Sequence, residues 1–180
     1  MRRRFYAILA RLPDARGRPI RIALRPALSA WRGRLLSGKE IGISVHAATF
    51  LRRRRIVLDT ELPGDPRELA RILIHEIFHF VWLRLGNARR GSFDTLLAAE
   101  LRRRARGELG WSAELRKGKL TPVDREIRTR RWREYVCESF CDSAAWLFSS
   151  AGRHAEFTLA GEFRRKRRQW FRHAGVSGGI

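Results

Sequence analysis

Residues 70–82, ARILIHEIFHFVW, set two histidines and a glutamate inside one of the most apolar stretches of the chain. The residues just before this run read as a helix start. Asp65 is suited to cap, Pro66 fits the first turn, and Glu68 is placed to complete a capping box. Gly86 supplies a stop, with Asn87 behind it. The expected helix therefore covers about 66–85 and has too few polar positions to lie on a surface. A charged glutamate in such a helix is costly unless something pairs with it. The rest of the chain must fold around this helix and give its three polar residues a purpose.

His75 and His79 are four apart and share a helix face, close enough for both imidazoles to grip one ion. Glu76 lies one position further on, where it reaches a water beside that ion rather than the ion itself. This is the physical content of H-E-x-x-H: two nitrogen ligands and a general base. A catalytic Zn2+ needs a third protein ligand and an open position. The remaining histidines, His46, His154 and His173, fall beside a strand, in a loop and near the end of the chain. No H-E-x-x-H-x-x-G-x-x-H continuation exists, since Trp82 and Leu85 stand where its glycine and third histidine would be. A glutamate on another helix is the better third ligand. Glu138, in the mostly apolar EYVCESFCDSAAWLF, is the first choice. Glu100 and Glu134 are weaker ones. Asp142 lies one turn beyond Glu138 on the same face, where it can accept from the far nitrogen of a ligand histidine.

The first half of the chain alternates as strands do, at 20–24, at 41–45 and around 56–58, and 5–9 is read as a fourth short strand. Helices are expected after the first one from Ser92 to the Gly107–Gly110 region, from Thr121 and Pro122 to about Ser149, and from about 156 to 173. Strands first and long helices after them imply an α+β fold. No internal repeat and no linker divides the 180 residues, so one domain over 1–180 is expected.

HEIFH followed by ESFCD resembles the gluzincin class of zinc metallopeptidases, the thermolysin-like zincins, over about residues 58–148. Their pattern is H-E-x-x-H on one helix and E-x-x-x-D on a later one. The resemblance implies His75, His79 and Glu138 as zinc ligands, Glu76 as general base, and Asp142 as the residue that orients a ligand histidine. It also implies a small sheet packed on the metal-binding helix, with a peptide or protein substrate lying along a strand edge, read here as near Leu58. The chain is short for the class and reads as a minimal zincin. His154, Tyr135 or an arginine near the site are the residues available to steady an oxyanion.

Composition adds a second theme. The formal charge is +21, and 35 of the 39 basic residues are arginine. Clusters at 52–55, 102–104, 130–133 and 164–168 would attract nucleic acid or another polyanion without sequence preference. The last helix, with Trp170 and Phe171 among its arginines, is the element that would bind; the plainer reading is that both aromatics fasten it to the body. Cys137 and Cys141 make no disulfide framework and read as two small buried thiols. They also permit a closed structural zinc site with His75 and His79. No apolar stretch approaches the roughly 18 residues a membrane span needs, and the apolar part of the basic N-terminal run, residues 5–10, reads as too short for a signal peptide. A cytoplasmic, non-membrane protein is expected.

Overall fold

A computed structural model describes residues 2–10, 12, 18–38 and 41–176. The chain is α+β. After α1 (Arg2–Leu9) come six strands: β1 (Arg21–Arg25), β2 (Leu28–Trp31), β3 (Arg34–Ser37), β4 (Ile43–Ser44), β5 (Ala47–Phe50) and β6 (Arg55–Asp59). Six helices follow: α2 (Pro66–Arg84), α3 (Asn87–Arg102), α4 (Trp111–Lys117), α5 (Pro122–Glu126), α6 (Arg130–Phe148) and α7 (Gly161–His173).

The expected central helix forms. The Asp65 carboxylate accepts from the backbone N–H groups of Arg67 (2.9 Å) and Glu68 (3.1 Å), satisfying two donors that a helix start leaves free. The other half of the capping box does not form. The Asp65 N–H bonds to Leu62 O, and the Glu68 carboxylate turns to Arg71 instead. Buried residues occur on every side of α2, because β5 and β6 lie on one flank and α6 on another.

The main sheet has the order β1-β6-β5. β1 runs parallel to β6, with Ile22 opposite Ile56 and Leu24 opposite Leu58; β5 is antiparallel to β6, with Thr49 opposite Ile56. Leu58 is therefore on the central strand, and the strand edge expected near it belongs to β5. A second sheet, β3-β2-β4, is built on a hairpin whose two turn residues, Arg32 and Gly33, both have positive φ (47° and 75°). That geometry matches the right-handed twist of the flanking strands.

Several expectations are corrected. Residues 5–9 belong to α1 rather than a strand, with Phe5 and Ile8, three apart, facing the body. Of 41–45 only Ile43–Ser44 is extended, and Ile41 and Ile43 face solvent. α3 begins at Asn87, so Ser92 lies inside it. α3 also stops at Arg102, well before Gly107. The helix expected from Thr121 is two. Thr121 and Asp124 form a reciprocal capping box on α5, Arg128 turns left-handed (φ 53°), and Thr129 caps α6. α7 begins at Gly161; Glu156 precedes it and pairs with Arg71.

The core lies between α2, α6 and α7. Phe140 stacks on Phe171 with ring centres 5.1 Å apart, and Phe78 stacks on Phe148 at 5.4 Å. Trp170 packs edge-on to Phe93 at 4.8 Å and donates its indole N–H to Ser92 Oγ (2.9 Å). The aromatics of the last helix thus fasten it to α3 and α6. A polar core sits beside this apolar one. The Arg167 guanidinium, wholly buried, pairs with Glu100 (2.7 Å) and Glu108 (2.8 Å). Tyr135 donates its hydroxyl to Glu108 (2.6 Å). This cluster pins the segment that leads into α4.

Candidate metal centre

His75 and His79 project from α2 toward α6, and Glu138 meets them from α6. The three offer ligand atoms that all lie within 4.8 Å of one another. His75 Nε2 is 3.2 Å from Glu138 Oε2, and His79 Nε2 is 3.9 Å from the same oxygen. Bonds of 2.0–2.1 Å to a tetrahedral ion place neighbouring ligand atoms about 3.3 Å apart. Two imidazoles and one carboxylate at these spacings fit a divalent cation such as Zn2+, with a coordination position to spare.

Each candidate ligand is held from behind by another group. His75 Nδ1–H donates to Asp142 Oδ1 at 2.7 Å, which leaves Nε2 to face Glu138. Asp142 is fixed in turn by the N–H of Ala113, which donates to Oδ2 at 2.9 Å from the first turn of α4. Gly110 makes this approach feasible, because a Cβ there would stand 2.3–2.6 Å from the Asp142 carboxylate. Arg116 holds the second oxygen of Glu138 at 3.0 Å. His79 turns Nδ1 to two thiols, Cys141 Sγ at 3.5 Å and Cys137 Sγ at 3.7 Å. Such outer partners fix ring orientation and tautomer.

The electrostatics follow from burial and pairing. Burial by itself would lower the His75 pKa, but the charge and hydrogen bond of Asp142, joined by Glu138, outweigh it and hold the ring well above the usual imidazole range. Burial likewise opposes the charge on Glu138, and His75, His79 and Arg116 overcome it and hold the carboxyl at about 2. The same surroundings that favour a proton on His75 Nε2 favour a cation there, which would take that proton's place. Of the two thiols, Cys137 is lowered to about 6, chiefly by a hydrogen bond from Cys141 and also by His79, while burial pushes Cys141 well up.

Glu76 is buried on the same helix. Its Oε2 accepts from Thr49 Oγ1 at 2.5 Å, on β5. His75 and Glu76 open onto a cleft of about 320 Å³, bordered also by Ala47, Arg71, Trp111 and Glu156. The free edge of β5 therefore runs beside the candidate centre.

The other residues singled out from sequence lie elsewhere. Glu100 is bound to Arg167, and Glu134 pairs with Arg130 in solvent. Tyr135 is buried against Glu108, and His154 lies against Glu68 at 3.3 Å. The four-ligand site of His75, His79, Cys137 and Cys141 does not assemble. His75 faces the carboxylates, and only His79 reaches the thiols. Phe171 is buried and offers no stacking face to a base, and Trp170 is half-buried with its ring packed on Phe93. Thr49, Ala113 and Arg116 belong to the site but carry no local motif. Among the described residues no helix is long and apolar enough to cross a membrane.

Compared with protein-family models, with curated proteins and with solved structures, the chain matches none.

Proposed function

We propose that this protein is a zinc-dependent metallopeptidase of gluzincin type, with residues 1–180 as one zincin-like domain. The observation that carries the reading is the position of Glu76. It adjoins the His75–His79–Glu138 cluster, faces the cleft, and has its carboxylate fixed by Thr49. Any buried carboxylate needs a partner such as Thr49, but only one that acts on a substrate needs to open onto a cleft beside ligand residues, as Glu76 does.

When bound, Zn2+ supplies Lewis acidity, polarising a carbonyl and making water more acidic. The protein's own residues supply the rest. His75, His79 and Glu138 hold the ion, and Asp142, Arg116 and the thiols keep those ligands aimed. An extended peptide adds to the free edge of β5 by main-chain hydrogen bonds, with alternate side chains directed into the cleft. Glu76 takes a proton from the attacking water and delivers it to the departing amine. The net charge of +21 favours acidic segments as substrates.

The test is hydrolysis of a mixed peptide library by protein loaded with one equivalent of Zn2+, with products identified by mass spectrometry. Cleavage that creates new amino and carboxyl termini, stops with a chelator and returns with Zn2+ is the expected result. Zinc-loaded protein that leaves the library intact would refute a peptidase.

A further inference from the structure

The thiols beside His79 form a second cluster, and orienting one imidazole does not require two of them. Cys137 and Cys141 are one turn apart on α6 and both face α2. His79 Nδ1, Cys137 Sγ and Cys141 Sγ all lie within 4.8 Å of one another. An ion with bonds of about 2.3 Å to sulfur and 2.0–2.1 Å to nitrogen places tetrahedral S and N ligands about 3.6 Å apart. The two S···N separations here are 3.5 and 3.7 Å. A single hydrogen bond to His79 Nδ1 would need one thiol; two thiols converge on the same nitrogen.

We propose that His79 Nδ1 and the Sγ atoms of Cys137 and Cys141 form a second metal site, for a thiophilic cation, that shares the His79 ring with the His75–His79–Glu138 cluster. The donor set selects the class of ion. Two thiolates and one imidazole are soft ligands, suited to Cu+, Zn2+ or Cd2+ and unsuited to Mg2+ or Ca2+. Both sulfurs bind as thiolates, so any proton still on a thiol is released, and the Nδ1 proton of His79 leaves as well when Nε2 is also coordinated. Cys141 is fully buried and Cys137 partly so, so an ion held there is shielded from bulk solvent. The two centres are separable, because His75 and Glu138 offer no ligand atom to the second and the thiols offer none to the first. The inference needs no peptidase activity.

The test is titration of the reduced full-length protein with Cd2+, followed by its near-ultraviolet thiolate-to-metal charge-transfer band, alongside far-ultraviolet circular dichroism to confirm folding. Wild type is expected to show a band that saturates at one thiolate-bound ion per chain. The double variant His75→Asn/Glu138→Gln, which lacks the first centre, should keep it. His79→Asn should weaken the Cd2+ affinity that the band reports by at least about tenfold, and Cys137→Ser should do the same while staying folded. Absence of the band in wild type would overturn the proposal. So would a band whose affinity is unchanged in folded His79→Asn, since the thiols would then bind without the imidazole. Loss of the band in folded His75→Asn/Glu138→Gln would show one centre where two are proposed.

Discussion

Glu76→Gln is expected to lower peptide hydrolysis by about 10²–10⁴-fold while leaving zinc binding unchanged. An amide and a carboxylate are nearly the same size, and a glutamine oxygen can still accept from Thr49, which now stands 2.5 Å from Glu76. What the variant loses is the capacity to take a proton at that atom. Glu76 is not among the three residues whose ligand atoms converge, so metal content should not follow activity downward. Parallel measurement of turnover and bound zinc separates these effects. A Glu76→Gln enzyme that keeps its rate would remove Glu76 from the chemistry. One that loses its zinc would make Glu76 part of the metal site.

The second large effect is on stability. Arg167→Met should destabilise the fold by about 3–5 kcal/mol, because it leaves two buried carboxylates without their cation. Glu100 and Glu108 both pair with Arg167, and Lys117, 3.4 Å from Glu108, is a further positive charge among the described residues. With domains of this size stable by roughly 5–15 kcal/mol, such a loss is a large share of the whole. It should appear as a lower urea midpoint with an unchanged slope. Neutralising the stranded acids as well, in Arg167→Met/Glu100→Gln/Glu108→Gln, should recover part of the loss. A midpoint unmoved by Arg167→Met would mean that the two acids are satisfied without it. The cluster matters to the candidate metal centre because Glu108 lies two residues before Gly110, and α4 then supplies both Ala113 and Arg116 to the site.

What the sequence reveals here is what lies close together along the chain. The start of α2, the H-E-x-x-H face, and the Glu138–Asp142 spacing are all local patterns, and the structure brings their residues together. Contacts across the fold leave no such trace. Thr49 meets Glu76 across 27 residues and Ala113 meets Asp142 across 29, and neither partner has a neighbour that marks it. Residues 5–9 read as a strand because a short apolar run does not distinguish strand from helix; packing of Phe5 and Ile8 on the core decides for helix. The break between α5 and α6 was more accessible. Thr129, just ahead of a helix-forming run, is a cap signal of the same kind as Thr121. The role of the charge was the least legible. Arg167 belongs to a basic cluster on the helix with the most arginine, yet it is wholly internal.

The central claim is that His75, His79 and Glu138 hold a cation. It is tested most directly by zinc affinity, measured in competition with a chromophoric chelator, in a Cys137→Ser/Cys141→Ser background that removes the thiols. One zinc per chain is expected there. Adding Glu138→Ala should weaken it beyond the roughly 10–100-fold that losing an outer partner costs. Folded protein that binds no zinc in this background, or binds it equally well without Glu138, would contradict the claim.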